Sequence, residues 1–186
     1  MRISNALTLL AATLLASTLL VAQQDKSKRP SPPGQASITL ANGTKITIDY
    51  SRPHVKDPKT GAARKIMGGV VPYGEVWRTG ANEATTFVTT GDVTINGVAV
   101  PTGSYTLFTL PSEGTWKLII SKKTGEWGIP YPGEGDDLAR VDMNKTTMRK
   151  GPIEQFTISL DQKGTNEALL KLAWENTEVS ANVKGK

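Results

Sequence analysis

The chain has 186 residues, 38% of them hydrophobic, with a formal charge of +5 at pH 7 and an isoelectric point near 9.4. That suits one globular domain once any processed end is removed, and its basic residues are scattered among acidic ones, without the clustered Arg and Lys beside exposed aromatics that a nucleic-acid partner needs. Cysteine is absent, which excludes disulfides, thiolate metal sites and a lipid-bearing N-terminal cysteine, so an exported form would depend on core packing alone.

Residues 1–22 have a positive start at Arg2, an apolar run from Ala6 to Val21 and small residues near Ala22. This is the layout of a secretory signal peptide cleaved near Ala22, which gives a periplasmic or secreted address with no membrane contact after removal. A retained membrane anchor is the competing reading, because the apolar run is near the lower limit for crossing a bilayer. Residues 23–35, QQDKSKRPSPPGQ, are charged and Pro-rich without apolar periodicity. Such a stretch buries too little surface to offset its ordering entropy and is expected to be a disordered linker, with the folded domain running over residues 36–186.

Apolar and polar residues alternate over residues 36–41 and 44–50, around Asn42-Gly43, which predicts a β-hairpin with a two-residue turn. Pro53 and Pro58 break the pattern and make residues 51–71 a long loop carrying His54, Arg64 and Lys65. Ile66 to Val71 returns toward the core. Strands follow over residues 86–90, then 92–95 and 98–100 about Asn96-Gly97, then 104–110, where both faces carry apolar side chains. Residues 115–121 place Trp116, Leu118 and Ile120 on one face, and residues 137–143 read as a strand. Between them lies WGIPYPGEG, residues 127–135, too rich in Pro and Gly for a ladder. Period-two alternation resumes over residues 154–160, 168–175 and 178–183. Beyond the leader no window keeps a helical stripe, so the fold class is all-β: a single antiparallel β-sandwich or jelly-roll-like barrel of about nine short strands.

The chain is organised around PYGEVWRTGANEATTFVTTG, residues 72–91. Together with Tyr50-Ser51-Arg52-Pro53, Gly103-Ser104-Tyr105-Thr106-Leu107-Phe108 and Trp127-Gly128, its Trp-Arg-Thr-Gly-Ala-Asn-Glu segment makes the chain resemble an exported bacterial family of unknown function, DUF2911, across residues 36–183. The resemblance implies a small envelope domain and no established activity or catalytic residue. One departure is visible: members run almost directly from the Val-Lys pair into a Gly-Arg-Lys-Ile segment, whereas here residues 57–63 intervene.

Arg78, Asn82 and Glu83 could orient a polar ligand, a guanidinium fork donating to carboxylate or phosphate and an amide and acid meeting vicinal hydroxyls. The plainer reading, which the residue types favour, is a structural ion pair of Arg78 with Glu83 or Asp49 beside Trp77. His54, the only histidine, is a weak metal candidate, since its companions would have to be Asp57 or Glu83. It equally lacks a Ser partner for general-base duty. Glu83, Glu126, Asp136 and Asp137 include enough carboxylates for a glycosidase-like pair, yet ordinary surface acids account for them. Trp116 and Trp174 belong in the core. Trp127 and Tyr131 could form a platform for a sugar ring, or a lid over one end of the fold.

Three functions stay open on these residues. One is a non-catalytic exported binder of a polar small molecule or glycan at Trp77, Arg78, Asn82, Glu83, Trp127 and Tyr131, needing no cofactor. The others are an envelope hydrolase or isomerase with Glu83 as acid-base, and a structural or interaction module using exposed strand edges.

Overall fold

The computed structural model describes residues 25–147 and 151–186. The leader expected over residues 1–22 lies outside them. Eleven strands form one antiparallel sheet: β1 (Pro33–Thr39), β2 (Lys45–Ser51), β3 (Thr85–Thr89), β4 (Val93–Ile95), β5 (Val98–Val100), β6 (Gly103–Leu110), β7 (Trp116–Ser121), β8 (Asp137–Thr147), β9 (Ile153–Gly164), β10 (Glu167–Glu175) and β11 (Thr177–Gly185). Nine run in the order β1-β2-β3-β6-β7-β8-β11-β10-β9, and the short β4–β5 hairpin hangs from β11. The fold is all-β.

Twist curls this path until its ends meet, which makes a nearly closed barrel. Just past β2, Val55 N donates to Glu154 O at 2.8 Å and Phe156 N to Pro53 O at 2.9 Å, while Tyr50 Oη accepts from Ile158 N at 3.0 Å. The segment after β2 thus pairs with the start of β9. Alternation sends Ile46, Ile48, Phe87, Leu107, Leu118, Ile120, Leu170, Leu172 and Val183 into the interior, all essentially inaccessible. A smaller apolar cluster of Ala84, Phe108 and Ile119, with Val76, Leu110 and Tyr131 against it, covers the outer face of β6 and β7. It accounts for the two apolar faces of β6.

Turn chemistry follows the sequence with one difference. Asn96 and Gly97, both at positive φ, make the two-residue turn of β4–β5. At Asn42-Gly43 the turn is one residue longer: Leu40 N bonds Thr44 O, and Gly43, at φ 84°, completes a three-residue connection.

The linker expected up to Gln35 is corrected in its C-terminal part. Strand β1 begins at Pro33, and Lys26–Lys28 form a 3-10 turn capped by Asp25. Charge, not apolar burial, fastens this segment: Arg29 and Lys26 both reach Glu83.

Candidate functional site

Residues 72–84 close one end of the barrel. Trp77 exchanges backbone hydrogen bonds with Thr109 at 2.8 and 2.9 Å. The partner, Thr109, lies within β6, so Trp77 takes up pairing with that strand where β3 leaves it at Leu107. The Trp77 indole meets the core, stacked on Trp174 at 6.1 Å and edge-on to Phe156 at 5.0 Å and Trp116 at 6.5 Å. The indole N–H donates to Gly80 O at 3.1 Å. The chain then reverses through Thr79 and Asn82, both at φ 56°. For the β-branched Thr79 that backbone costs about 1–2 kcal/mol. Burial holds it in place: Thr79 is inaccessible, its hydroxyl lies 3.2 Å from Thr109 Oγ1, and its carbonyl accepts from Thr85 Oγ1 at 2.7 Å.

That reversal sends Arg78 and Glu83 to different places. The Arg78 guanidinium donates from Nη1 to Asn82 O at 2.5 Å and to Trp127 O at 3.2 Å. Nε and Nη2 have no protein acceptor, and no carboxylate lies within ion-pair distance of it, among the described residues. Burial lowers its pKa, since a charged guanidinium is being withheld from water. Glu83 instead receives Arg29 Nη1 on both oxygens at 2.9 Å and Lys26 Nζ at 3.1 Å. Burial raises its pKa, but hydrogen bonds from Arg29, its own backbone N–H and Lys26 outweigh that and bring it down to about 2. The expected pairing of Arg78 with Glu83 or Asp49 is therefore absent. Asp49 takes Gln35 Nε2 at 2.7 Å, and Asn82 Nδ2 bridges to Ser31 O at 3.0 Å and Ser51 Oγ at 3.3 Å.

Two cavities flank the reversal. The larger, about 440 Å³, lies between the N-terminal segment and the sheet, lined by Lys26, Arg29, Asp49, Tyr50, Glu83 and Glu126 among others. Its best-buried charges already satisfy one another. The smaller, about 270 Å³, opens at the barrel end and is lined by His54, Lys56, Arg64, Trp77, Arg78 and Asn82, with Trp174, Val70 and Ile129 supplying apolar wall. It combines an aromatic floor with an unpaired cation, and we take it as the candidate site despite its size.

Other expected site residues fall apart in space. Trp127 is 55% exposed and contributes its carbonyl, not its ring, to Arg78. Tyr131 packs edge-on against Phe108 at 5.2 Å in the outer cluster and lines neither cavity. Its hydroxyl donates to Asp137 Oδ1 at 2.5 Å and accepts from Arg140 Nη2 at 3.1 Å, and burial followed by the Asp137 bond pushes its pKa up to about 12. A joint Trp127–Tyr131 platform is thus not formed. Glu83 and Glu126 share the larger cavity, whereas Asp136 and Asp137 line neither. His54 Nε2 stands 3.1 Å from Gln155 Nε2, and no group of three or more His, Asp or Glu able to hold a metal ion gathers among the described residues.

Sequence reasoning places Arg64 on the 51–71 loop without a site role and does not single out Lys56, yet both line this cavity. The 57–63 insertion folds on itself, Asp57 N donating to Ala62 O and Gly61 N to Asp57 O, both at 2.8 Å. This returns Arg64 to the carbonyls of His54 and Val55. The only signal in the sequence was a run of basic residues either side of a turn.

Comparison with known proteins agrees with the family resemblance. The family model described as "Protein of unknown function (DUF2911)" matches residues 31–183, and the chain belongs to that family. No curated protein and no solved structure matches.

Proposed function

We propose that this DUF2911 member is a non-catalytic, exported domain that binds a polar small molecule or glycan in the cavity beside Arg78. The observation that carries the reading is a half-buried guanidinium with free donors on a cavity wall and no acid to neutralise it. Unpaired buried charge is costly in a structural role, and a ligand acceptor would offset that cost. The strained Thr79 next to it supports the same reading, because such backbone persists where surrounding structure fixes a functional side chain. Asn82 supplies amide chemistry on the same wall, and the Trp77 and Trp174 indoles give a ring or an apolar edge something to lie against. Export to the periplasm or beyond rests on the composition of residues 1–22.

The hydrolase or isomerase reading has less support. An acid-base catalyst works best with a pKa near the operating pH, and Glu83, held near 2 by Arg29 and Lys26, has neither a proton to give nor much basicity to take one. Exposed Trp127 and Ile129 favour an interaction surface as the second reading. A thermal-shift screen of sugars, carboxylates and metal ions against the chain and its Arg78→Ala variant decides between them. At least one polar compound should raise the unfolding temperature of the first and not of the second. A screen in which nothing shifts the wild-type chain would remove the binder and leave the interaction module.

A further inference from the structure

Resting on that binding reading, we propose that the ligand is a small organic anion, its carboxylate or phosphate group taken by Arg78, Arg64 and Lys56 and its apolar part lying against Trp77 and Trp174. The cavity wall carries these three cations and His54, and no carboxylate reaches it. None of the three makes an ion pair among the described residues, although the chain pairs Arg29, Arg140, Lys117, Lys171 and Lys184 with acids elsewhere. The acid nearest in sequence, Asp57, lies outside the cavity lining: its Oδ1 accepts from Lys59 N at 2.9 Å, Thr60 N at 3.0 Å and Thr60 Oγ1 at 3.2 Å, and it feels the Arg64 charge without forming an ion pair with it. Glu83, on the far side of the reversal, is neutralised by Arg29 and Lys26.

Three like charges around one cavity repel, and low-dielectric walls concentrate their field there. A neutral ligand would leave that repulsion standing. An anion removes it, and a planar oxyanion suits guanidinium geometry, which donates from two nitrogens at once. Arg78 keeps Nε and Nη2 for such a contact. Arg64 donates from Nε to Val55 O at 3.3 Å and from Nη2 to His54 O at 2.5 Å, which orients the group and leaves Nη1 without a protein acceptor among the described residues. Trp174, 1% exposed, also lines the cavity, and its buried indole N–H has no acceptor among the described residues. The volume of about 270 Å³ falls just below the usual range of small-molecule sites, which limits the ligand to a compact molecule.

Matched pairs test the assignment. The full chain is titrated calorimetrically with benzoate against benzamide, glucuronate against glucose, and inorganic phosphate alone. The same titrations are run on the Arg78→Gln, Arg64→Gln and Lys56→Gln variants, with Glu126→Gln in the other cavity as control and each variant's unfolding temperature recorded. The charged member of a pair should bind and its neutral partner should not. Added salt should weaken binding, and each cation substitution should cost roughly tenfold or more in affinity while Glu126→Gln costs nothing. Lys56 is exposed, so its variant remains informative if an arginine variant misfolds. Glucose or benzamide binding as tightly as its charged partner, with Arg78→Gln abolishing both, would overturn the anion assignment and leave the binding reading intact. Anion binding indifferent to all three substitutions would place it elsewhere and also overturn the assignment. If no compound binds at all, both readings fall together.

Discussion

Replacing Glu83 with Gln should loosen the N-terminal segment and flatten the acid limb of stability. The carboxylate holds Arg29 through both oxygens at 2.9 Å and Lys26 at 3.1 Å, which lowers its pKa from 4.5 to about 2. At full weight that interval is worth roughly 3 kcal/mol. The Glu83 side chain is 39% exposed, however, and solvent screening cuts the contribution to about 1 kcal/mol. Because the folded-state value is the lower one, the contribution is complete above pH 4.5 and disappears as pH falls through about 2. Urea unfolding at neutral pH and at steps through that window measures it. The wild-type chain should start about 1 kcal/mol above the Gln variant and converge on it at the acid end, and Arg29→Gln combined with Glu83→Gln should cost little more than either alone. Equal stability at neutral pH with the same acid slope would refute the claim that Arg29 and Glu83 fasten residues 25–32 to the barrel.

Gly128 lies at φ 91° and has no room for a Cβ, which would stand 2.9 Å from Arg78 Cβ and 3.0 Å from Ala84 Cβ. Gly128→Ala should cost roughly 1–3 kcal/mol in urea unfolding and weaken any ligand-induced thermal shift that depends on Arg78. Phe156, packed among Tyr50, Trp77 and Trp174, should lose about 3–5 kcal/mol on replacement by Ala. A loss below about 1 kcal/mol by the same assay would mean that this cluster does not bear the barrel end.

The strands were legible because a sheet residue's environment has period two. Trp116, Leu118 and Ile120 had to share a face whatever lay opposite, and they do. Trp174 was placed in the core for the same reason. The Trp77 to Glu83 reversal could be recognised as special but not resolved. Residues in a turn point wherever φ sends them, and the positive values at Thr79, Gly80 and Asn82 put Arg78 and Glu83 on different cavities. Residues 25–32 depart from the linker expectation for a related reason: composition registers apolar burial and is blind to an ion pair formed with a partner 54 positions away.

Local alternation and turn chemistry thus determined by themselves that this chain builds an antiparallel, all-β body, with hairpins at Asn42-Gly43 and Asn96-Gly97 and the Trp77–Glu83 segment as its irregular centre. Only the tertiary structure decided which charges meet. It gave Arg29 to Glu83, left Arg78 facing a cavity, and brought Lys56 and Arg64 from a separate loop to the same wall. The reason is geometric. Period and propensity act over a few residues, whereas the partners of a side chain at the end of a barrel are set by how the sheet curls and where its last strand meets its first.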